Sequence, residues 1–496
     1  MSDSIELKRA NLSKLPASVA RPNYNPSQIK CGIVHVGVGG FHRSHQAVYI
    51  DDLLEAGGAD NWGICGVGIR RDDQRMKDVL DRQDYLYSLI IKHPDGQVDT
   101  RVIGSIVDYT YGANDAGAVI SKMAHPDTRI VSLTITEGGY NLDADTGQFD
   151  FANPNAQHDL KNPTDPKLVF GYLTESLRRR RDEGLSAFTI QSCDNIQHNG
   201  DLTRRMLLGF AQAQDSELAK WIEEHVRFPN AMVDRITPVT TDDDIAYLKS
   251  HYGLHDQWPV TCEPFCQWVI EDDFSCGRPP WDRVGVQFVP NVIPYETMKL
   301  RLLNAGHSVL GILGAIHGHA TINDCIADQT FANYLRDFMD AEVTPTLAPV
   351  PGIDLDQYKD TLIERFGNPN IRDSVSRICS QSSSKLPVFL VPTIKANLDA
   401  GRDIELATFV LASWCLYSDR QTDQNGNPLE IIDDMHDELH HAARTREDKL
   451  SFIKFKPVFG NLAENEHFAT VYTKMKDRLY ENIEIKDEMQ RVMDQR

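Results

Sequence analysis

The longest stretch of hydrophobic positions at helical spacing runs from Pro294 to His319. Apolar side chains fall on nearly every face of this stretch, which is typical of a buried helix. Lys299, Asn304 and His307 are set inside this stretch. Asn304 and His307 are three residues apart and share a face, and the long Lys299 side chain reaches the same side. Buried polar groups need partners, so the pattern indicates either three satisfied core residues or, as we favour, a functional site.

The N-terminal half alternates between short β-branched runs and helical patterns. Residues 31–36 predict a strand, 37–40 a glycine turn and 41–55 a helix, and 62–69 predict the second strand. Strand, glycine turn and helix in this order are typical of the start of a dinucleotide-binding domain.

Two β-rich runs between residues 85 and 111 flank a turn at 93–96 and predict a β hairpin inserted into this pattern. Residues 129–135 and 187–192 predict further parallel strands. Beyond about residue 290, amphipathic helical patterns dominate. The predicted fold is an α/β Rossmann-type NAD-binding domain with an inserted hairpin at 1–290, followed by a mostly α-helical substrate and catalytic domain at 291–496.

Composition narrows the classes of partner. A chain of 496 residues exceeds the size of one hydrophobic core, which favours two domains. The net charge of −21 argues against nucleic acid and anionic membranes as partners. Nine scattered cysteines without zinc-knuckle spacing predict reduced thiols and no metal site. The sequence has no signal-peptide pattern and no apolar run of membrane-spanning length, so we expect a cytoplasmic protein.

The glycine turn is the first candidate binding site. Glycines allow a tight turn and let a pyrophosphate approach the helix N-terminus. The third glycine of G-x-G-x-x-G is replaced by His42, so the fingerprint is incomplete. Arg43 either adds a charged contact to phosphate or forms a surface ion pair. The candidate cofactor-binding residues here are Gly37, Val38, Gly39, Gly40, Phe41 and Arg43.

Carboxylates at the end of the second strand bear on the choice of cofactor. Asp72 and Asp73 are placed to accept hydrogen bonds from the adenosine ribose and to repel a 2′-phosphate, which favours NAD. The neighbouring Arg70 and Arg71 favour NADP instead, because a guanidinium can bind the 2′-phosphate. Thr136 and Glu137 follow another apolar strand, where cofactor contacts cluster at the carboxyl end of a sheet.

Several longer motifs occur in a characteristic order: GVGGFHRSHQAVYIDDLL, TEGGYN, SCDNIQHNG, FPNAMVDRITP and KLRLLNAGHS. Together they resemble the polyol-specific long-chain dehydrogenases, from about residue 30 to the C-terminal helices. The FPNAMVDRITP string and the K-x4-N-x2-H helix are highly specific in combination.

The resemblance implies zinc-independent, NAD-dependent oxidation of a polyol, with D-mannitol giving D-fructose and D-arabinitol giving D-xylulose as the candidate reactions. It makes Lys299 the general base, which requires a neutral amine. Asn304 and Asn195 would stabilise the developing alkoxide, as in an oxyanion hole. His307 would orient the substrate.

The same resemblance assigns outer roles. It places Val233 at the cofactor, Asp234 at the substrate, and Arg377 and Lys385 at further polyol hydroxyls. Without it, Asp234 is equally an ion-pair partner, and Arg377 and Lys385 are exposed helix charges. Glu296 is either a proton relay or a helix-start carboxylate.

Two other functions stay open at this point. A uronate reductase of the same family, acting on fructuronate or tagaturonate, would need a cation at the substrate carboxylate. A non-catalytic NAD-binding sensor would have little use for Lys299, Asn304 and His307 together. The resemblance also favours a monomer.

Overall fold

The computed structural model describes residues 4–143, 146–481 and 484–495. The chain divides into two compact units, Met1–Ile293 and Pro294–Arg496. All strands of the described residues lie in the first unit: β1 (Ile5–Glu6), β2 (Val19–Ala20), β3 (Cys31–Val36), β4 (Gly63–Gly68), β5 (Tyr87–Lys92), β6 (Val98–Ile103), β7 (Ile106–Tyr111), β8 (Ile130–Leu133), β9 (Thr189–Ser192), β10 (Ala231–Asp234), β11 (Leu254–His255), β12 (Val260–Cys262), β13 (Gln267–Glu271) and β14 (Gln287–Val289).

A five-stranded parallel sheet forms the centre of the first unit. Its strand order is β7-β4-β3-β8-β9, and every neighbouring pair is parallel. β4 and then β7 are added on one side of β3, and β8 and then β9 are added on its other side. Between β3 and β8 the order reverses, and ligands of open α/β sheets bind at the carboxyl ends of the strands beside such a point.

Helices cover both faces of this sheet. The helices of the first unit are α1 (Gly40–Ser44), α2 (Gln46–Glu55), α3 (Gln74–Arg82), α4 (Ala116–Ala124), α5 (Thr136–Gly139), α6 (Pro154–Lys161), α7 (Val169–Asp182), α8 (Asn199–Gln214), α9 (Ser216–His225) and α10 (Asp242–Tyr252). Val34 and Val36 pack in a core with α4, α7 and α8, while Ile33 packs with α2 and α3 on the opposite face. Burial on both faces explains why the strands are continuous hydrophobic runs.

The predicted hairpin is present, but it is shorter than the sequence indicated. β5 and β6 pair antiparallel around a turn in which the Gly96 amide bonds to the carbonyl of His93 at 3.1 Å. β7, which we had assigned to the hairpin, instead joins the parallel sheet beside β4. Gly104 and Ser105 separate the two strands, and Ser105 Oγ is hydrogen-bonded to the carbonyl of Ala47 on α2.

The second unit is mostly helical in its described residues. Its helices, the first of which begins at the unit boundary, are α11 (Ile293–Lys299), α12 (Ala305–His317), α13 (Ile322–Ala327), α14 (Gln329–Asp337), α15 (Leu355–Phe366), α16 (Val375–Cys379), α17 (Ser382–Phe389), α18 (Val391–Asp399), α19 (Glu405–Arg420), α20 (His436–Arg444), α21 (Lys456–Phe459), α22 (Glu466–Tyr480) and α23 (Ile485–Asp494). Helix α19 is buried along most of its length and packs against α12, α20 and α22. An α/β unit followed by a helical unit confirms the predicted fold class.

None of the helices in the described parts of the chain has both the length and the apolar character needed to cross a bilayer.

Candidate active site

The glycine turn follows β3 directly and begins α1. Gly37 has φ +92°, and a Cβ at this position would lie 2.1 Å from the carbonyl oxygen of Thr134. Only glycine fits such a position. Gly39 precedes α1 without a side-chain cap, and a Cβ there would meet only the Gly37 carbonyl oxygen, at 3.9 Å. The turn thus leaves open space beside exposed backbone, which suits the approach of a pyrophosphate.

A buried hydrogen-bond network holds this turn to the sheet. Thr134 Oγ1 donates to the Gly37 carbonyl at 2.6 Å and contacts His35 Nε2 at 2.9 Å. The other ring nitrogen of His35 contacts Ser132 Oγ at 2.8 Å. Burial lowers the pKa of His35 to about 3, so its ring is neutral at physiological pH. The turn conformation is therefore fixed by the end of β8 as well as by its own glycines.

The turn residues differ in exposure. Val38 is buried in the core, and Phe41 is half-buried and stacks on His45 with ring centroids 4.9 Å apart. The Arg43 side chain lies in the interior, where its Nη1 donates to the carbonyl of Trp258 at 2.5 Å. This placement supports a structural role for Arg43 and leaves little of the guanidinium for a phosphate. It also excludes the surface ion pair that we considered.

The two aspartates after β4 are placed differently. Asp73 Oδ2 accepts a hydrogen bond from the Arg70 amide at 2.8 Å, and Asp73 lies against Gly68 at the end of the strand. The Asp72 side chain is 89% exposed and lies 3.6 Å from the Arg70 guanidinium. Of the two carboxylates, Asp73 is therefore the better positioned for a cofactor ribose.

The ends of β8 and β9 are joined by one buried carboxylate. Asp194 accepts hydrogen bonds from the amides of Ile135 and Thr136 at 3.0 and 2.9 Å, and from Tyr140 OH at 2.7 Å. Thr136 adopts φ +59°, a strained conformation for a β-branched residue. Thr136, Glu137 and Asn195 are all exposed around this junction. Asp194 thus brings these predicted residues to one edge of the sheet.

Strand β10 carries Val233 and Asp234, both buried. The next residue, Arg235, donates to the carbonyls of Ser44 on α1 and Glu263, at 2.7 and 3.0 Å. The β10 end is therefore tied to the helix that follows the glycine turn. Arg235 thus connects the end of β10 to α1 within the first unit.

In the second unit, the predicted helix is present but is not uniformly α-helical. α11 ends at Lys299, a π-helical segment covers Leu300–Asn304, and α12 follows at Ala305. The Ala305 amide donates to the carbonyl of Leu300, five residues back. Single π turns of this kind are rare and occur frequently at functional sites. Glu296 and Lys299 are each only 5% exposed.

The π segment changes which side chains share a face. In a regular α-helix, positions five residues apart point about 140° away from each other. A π turn closes over roughly five residues, so Lys299 and Asn304 come to nearly the same side. Asn304 and His307 share a face of α12 in the ordinary way. From this helix geometry we infer that the three side chains lie on one side of the helix.

Asn304 and His307 carry polar atoms without a partner. Asn304 Oδ1 and His307 Nε2 are buried and accept or donate no hydrogen bond within the described residues. Buried polar atoms in this state are available to bind a ligand. The pKa of His307 lies well below its ordinary value because of burial and the positive charges of Arg377, Arg365, Lys299 and Lys385. His307 is therefore a neutral imidazole.

The same electrostatic effects show that Arg377 and Lys385 lie near His307. A Cβ on Gly311 of α12 would lie 2.8 Å from Ile378, so the absence of a side chain lets α16 approach closely. Arg377 forms a bidentate ion pair with Asp373 at 2.7 and 2.6 Å, while its side chain stays 52% exposed. Lys385 Nζ donates to the Ile378 carbonyl at 3.1 Å. The structure thus brings both predicted cations to the His307 side of the helix.

Comparison with known proteins decides the family. Residues 31–283 match the sequence profile of the mannitol dehydrogenase Rossmann domain, and residues 291–480 match that of the mannitol dehydrogenase C-terminal domain. The chain belongs to the mannitol dehydrogenase family. A mannitol 2-dehydrogenase of Phaeosphaeria nodorum is 45% identical, over 94% of this chain and 82% of the relative. One from Aspergillus fumigatus is 44% identical over 95% and 96% of the two chains.

Solved structures of this family have the same fold. The ternary complex of Pseudomonas fluorescens mannitol 2-dehydrogenase with NAD and D-mannitol superimposes with a TM-score of 0.89 at 43% identity, covering 99% of this chain and 100% of that one. A D-sorbitol dehydrogenase in substrate-free form has the same TM-score at 39% identity, covering 97% and 99%. The predicted family and fold are confirmed.

Some residues that shape these sites were missed from the sequence. Asp194 follows a buried strand in SCDN, a signal that could have marked it as the carboxylate joining two strand ends. Arg365 and Phe366 could not have been found, because they lie about sixty residues from His307. Phe366 packs on the His307 ring with centroids 4.3 Å apart. The arginine adds positive charge on the same side.

Proposed function

We propose that this chain is an NAD-dependent mannitol 2-dehydrogenase that oxidises D-mannitol to D-fructose. The observation that carries the proposal is the π turn at Leu300–Asn304, between Lys299 and His307. Asn304 Oδ1 and His307 Nε2 are buried and have no hydrogen-bond partner within the described residues. The family and the two mannitol 2-dehydrogenases described above support the choice of substrate.

The proposed roles follow from the chemistry of each group. Lys299 accepts the proton of the reacting hydroxyl at Nζ, and burial favours the neutral amine that this step needs. Glu296, one helical turn earlier, passes that proton to solvent. The side-chain amides of Asn304 and Asn195 donate hydrogen bonds to the oxygen as it becomes negative. No metal takes part in these steps.

The remaining substrate groups bind outside this centre. His307 is neutral, so it orients a hydroxyl by hydrogen bonding without adding charge. Arg377 and Lys385 contact the hydroxyl groups further along the polyol, and Asp234 binds another. Arg377 is already paired with Asp373, which reduces the positive charge it offers.

The residues of the glycine turn fit NAD, since a Cβ at Gly37 would collide with Thr134 and the backbone at Gly39 is open. Gly37, Gly39 and Gly40 would hold the pyrophosphate, with Val38 and Phe41 packed around them. Asp73 would bind the ribose, with Asp72 at the rim. Val233, Thr136 and Glu137 would border the nicotinamide end. NAD, when bound, supplies the acceptor for the hydride that leaves the substrate carbon.

A substrate panel tests this function. Purified protein is assayed for NADH formation with D-mannitol, D-arabinitol and D-sorbitol, and for NADH oxidation with D-fructose and D-fructuronate. We expect kcat/KM to be highest for D-mannitol and D-fructose. The uronate reductase alternative would prevail if D-fructuronate were reduced faster than D-fructose. No turnover with any of these compounds would favour the non-catalytic sensor.

We also propose that the enzyme is a cytoplasmic monomer. All nine cysteines are free, and six of them are buried, which suits a reducing compartment. Light scattering after size-exclusion chromatography tests the oligomeric state, with a mass near 55.9 kDa expected.

A further inference from the structure

We propose that His317, His319 and Asp328 form a binding site for a divalent transition-metal ion such as Zn²⁺, separate from the catalytic residues. One ligand atom from each of these side chains lies within 4.8 Å of the other two. Two imidazoles and a carboxylate, completed by water, are a ligand set that suits Zn²⁺ and also Ni²⁺ or Cu²⁺. Ligands of a tetrahedral zinc ion stand roughly 3.5 Å apart, so small side-chain shifts suffice.

Local chain geometry positions these ligands. α12 ends at His317, and Gly318 with φ +99° reverses the chain so that His319 returns toward the same side. Asp328 caps α14, and its Oδ1 accepts a hydrogen bond from the Thr330 amide at 3.0 Å. That bond orients the carboxylate and leaves Oδ2 facing His319 Nε2 at 3.9 Å. The end of α12, the following turn and the start of α14 thus bring the three side chains close together.

The two imidazole rings are held in place before any ion arrives. Both pack against Phe331, with centroid distances of 5.6 Å for His317 and 5.0 Å for His319. The side-chain amide of Gln424 contacts His317 Nδ1 at 2.9 Å. The packing on Phe331 therefore orients both rings before an ion binds.

His319 supplies an independent indication of a ligand. Its Nε2 is buried and has no hydrogen-bond partner within the described residues. A polar ring nitrogen in that state is unfavourable unless something binds to it.

A lysine competes for the same carboxylate. Lys486 Nζ donates to Asp328 Oδ2 at 2.6 Å, and its side chain is 34% exposed. The ammonium neutralises Asp328 in the metal-free protein and can move into solvent when a metal ion takes its place. Metal affinity is therefore reduced by Lys486, and removing this amine should increase it.

Calorimetric titration tests the proposal directly. Tag-free protein treated with a chelator is titrated with ZnCl2, and CoCl2 is used in parallel because tetrahedral cobalt has a characteristic visible spectrum. We expect one site per chain. His319→Ala and Asp328→Asn should each weaken Zn²⁺ binding at least about tenfold, as loss of one ligand costs more than 1.4 kcal/mol. Lys486→Met should tighten it several-fold.

The matched control is His467→Ala, which removes an exposed histidine of α22 in the same unit. It should bind Zn²⁺ like the wild type. Equal affinity in the wild type and His319→Ala, or weaker binding in Lys486→Met, would overturn the proposal, as would the absence of binding to the wild type at millimolar ZnCl2. Circular dichroism checks folding, and if His319→Ala is unfolded, Lys486→Met and Asp328→Asn decide.

Discussion

The glycine turn of the first unit and the Lys299 helix of the second differ in how they would recognise the ligands that we propose for them. At Gly37 and Gly39 the important feature is the absence of a side chain, because backbone must come close to the ligand. At Asn304 and His307 the important feature is a buried side-chain atom that has no hydrogen-bond partner among the residues that the structure describes. We therefore expect the glycine turn to lose its ligand when a side-chain atom is added. We expect the Lys299 helix to lose activity when a side chain is removed.

The largest expected effect comes from adding one methyl group at the turn. Gly37→Ala combines a left-handed φ, worth about 1–2 kcal/mol, with a clash against Thr134 worth about 1–3 kcal/mol. We expect the free energy of unfolding to fall by about 2–5 kcal/mol and NAD binding to be lost. Urea denaturation and a fluorescence titration with NADH measure these two quantities.

Gly96→Ala is the matched control for that variant. Gly96 has φ +90°, nearly the same as Gly37, but no atom of the described residues lies within 4 Å of its added Cβ. The free energy of unfolding of this variant should fall only by the cost of the left-handed φ, about 1–2 kcal/mol, and its affinity for NADH should not change. Equal losses in both variants would show that the contact with Thr134 is unimportant.

Removing a side chain from the second site should affect catalysis and leave stability nearly unchanged. Asn304→Ala deletes a donor to the developing alkoxide, so kcat/KM for D-mannitol should fall by about 10²–10³. Because Asn304 Oδ1 has no partner within the described residues, its loss should change the unfolding free energy by less than about 0.5 kcal/mol. Steady-state kinetics and urea denaturation together test this separation.

Asn397→Ala should behave in the opposite way. Asn397 is buried on α18, donates to the Glu342 carbonyl at 2.8 Å and accepts from Arg402 Nε at 2.8 Å. Its removal leaves both partners unsatisfied, which costs about 1–3 kcal/mol. The kcat should not change. If Asn304→Ala proved as destabilising as Asn397→Ala, Asn304 would be a structural residue.

Acid should destabilise the protein in part through His307. The unfolded chain binds a proton on this histidine near pH 6.5, whereas the folded state does so only well below that pH. The unfolding free energy therefore falls as the pH drops below about 6.5, by up to about 1.4 kcal/mol per pH unit. His307→Gln should show a shallower loss between pH 7 and pH 5, measured as urea midpoints. His467→Gln, an exposed control, should keep the wild-type slope.

The smallest effect separates the two aspartates after β4. Asp73→Asn should raise KM for NAD by about tenfold, the equivalent of roughly 1.4 kcal/mol. Asp72→Asn, at a side chain that is 89% exposed, should change it by less than about twofold. The KM values for NAD and NADP, determined for both variants, provide the measurement. Larger effects at Asp72 would reverse our choice of ribose ligand.

Local patterns were sufficient to predict much of this molecule. The strand, glycine turn and helix at residues 31–55 are determined by residues close together in the sequence, so a local pattern predicts their order. The Lys299 helix was equally clear, because polar residues stand out on a predominantly apolar helix. The limits of the hairpin were not clear, since β7 is assigned by its pairing with β4, a long-range contact.

Other features depend on geometry that no local pattern encodes. The π segment at Leu300–Asn304 leaves no signature in residue type, yet from its geometry we infer that Lys299 and Asn304 lie on one side of the helix. The sequence favours an exposed position for Arg43 because its side chain is charged. In the structure the side chain is buried and donates to the carbonyl of Trp258, more than 200 residues away in the sequence. Likewise, His319 and Asp328 become neighbours only when α12, α13 and α14 fold together.

The measurement that tests the central claim most directly is the pH dependence of D-mannitol oxidation by Lys299→Ala. If Lys299 is the base, kcat should fall by about 10²–10⁴, the wild-type rise with pH should disappear, and added methylamine should restore part of the rate. Lys476→Ala, which removes another buried lysine of the same unit, should keep the wild-type profile. Turnover by Lys299→Ala within about twofold of the wild type would contradict the account.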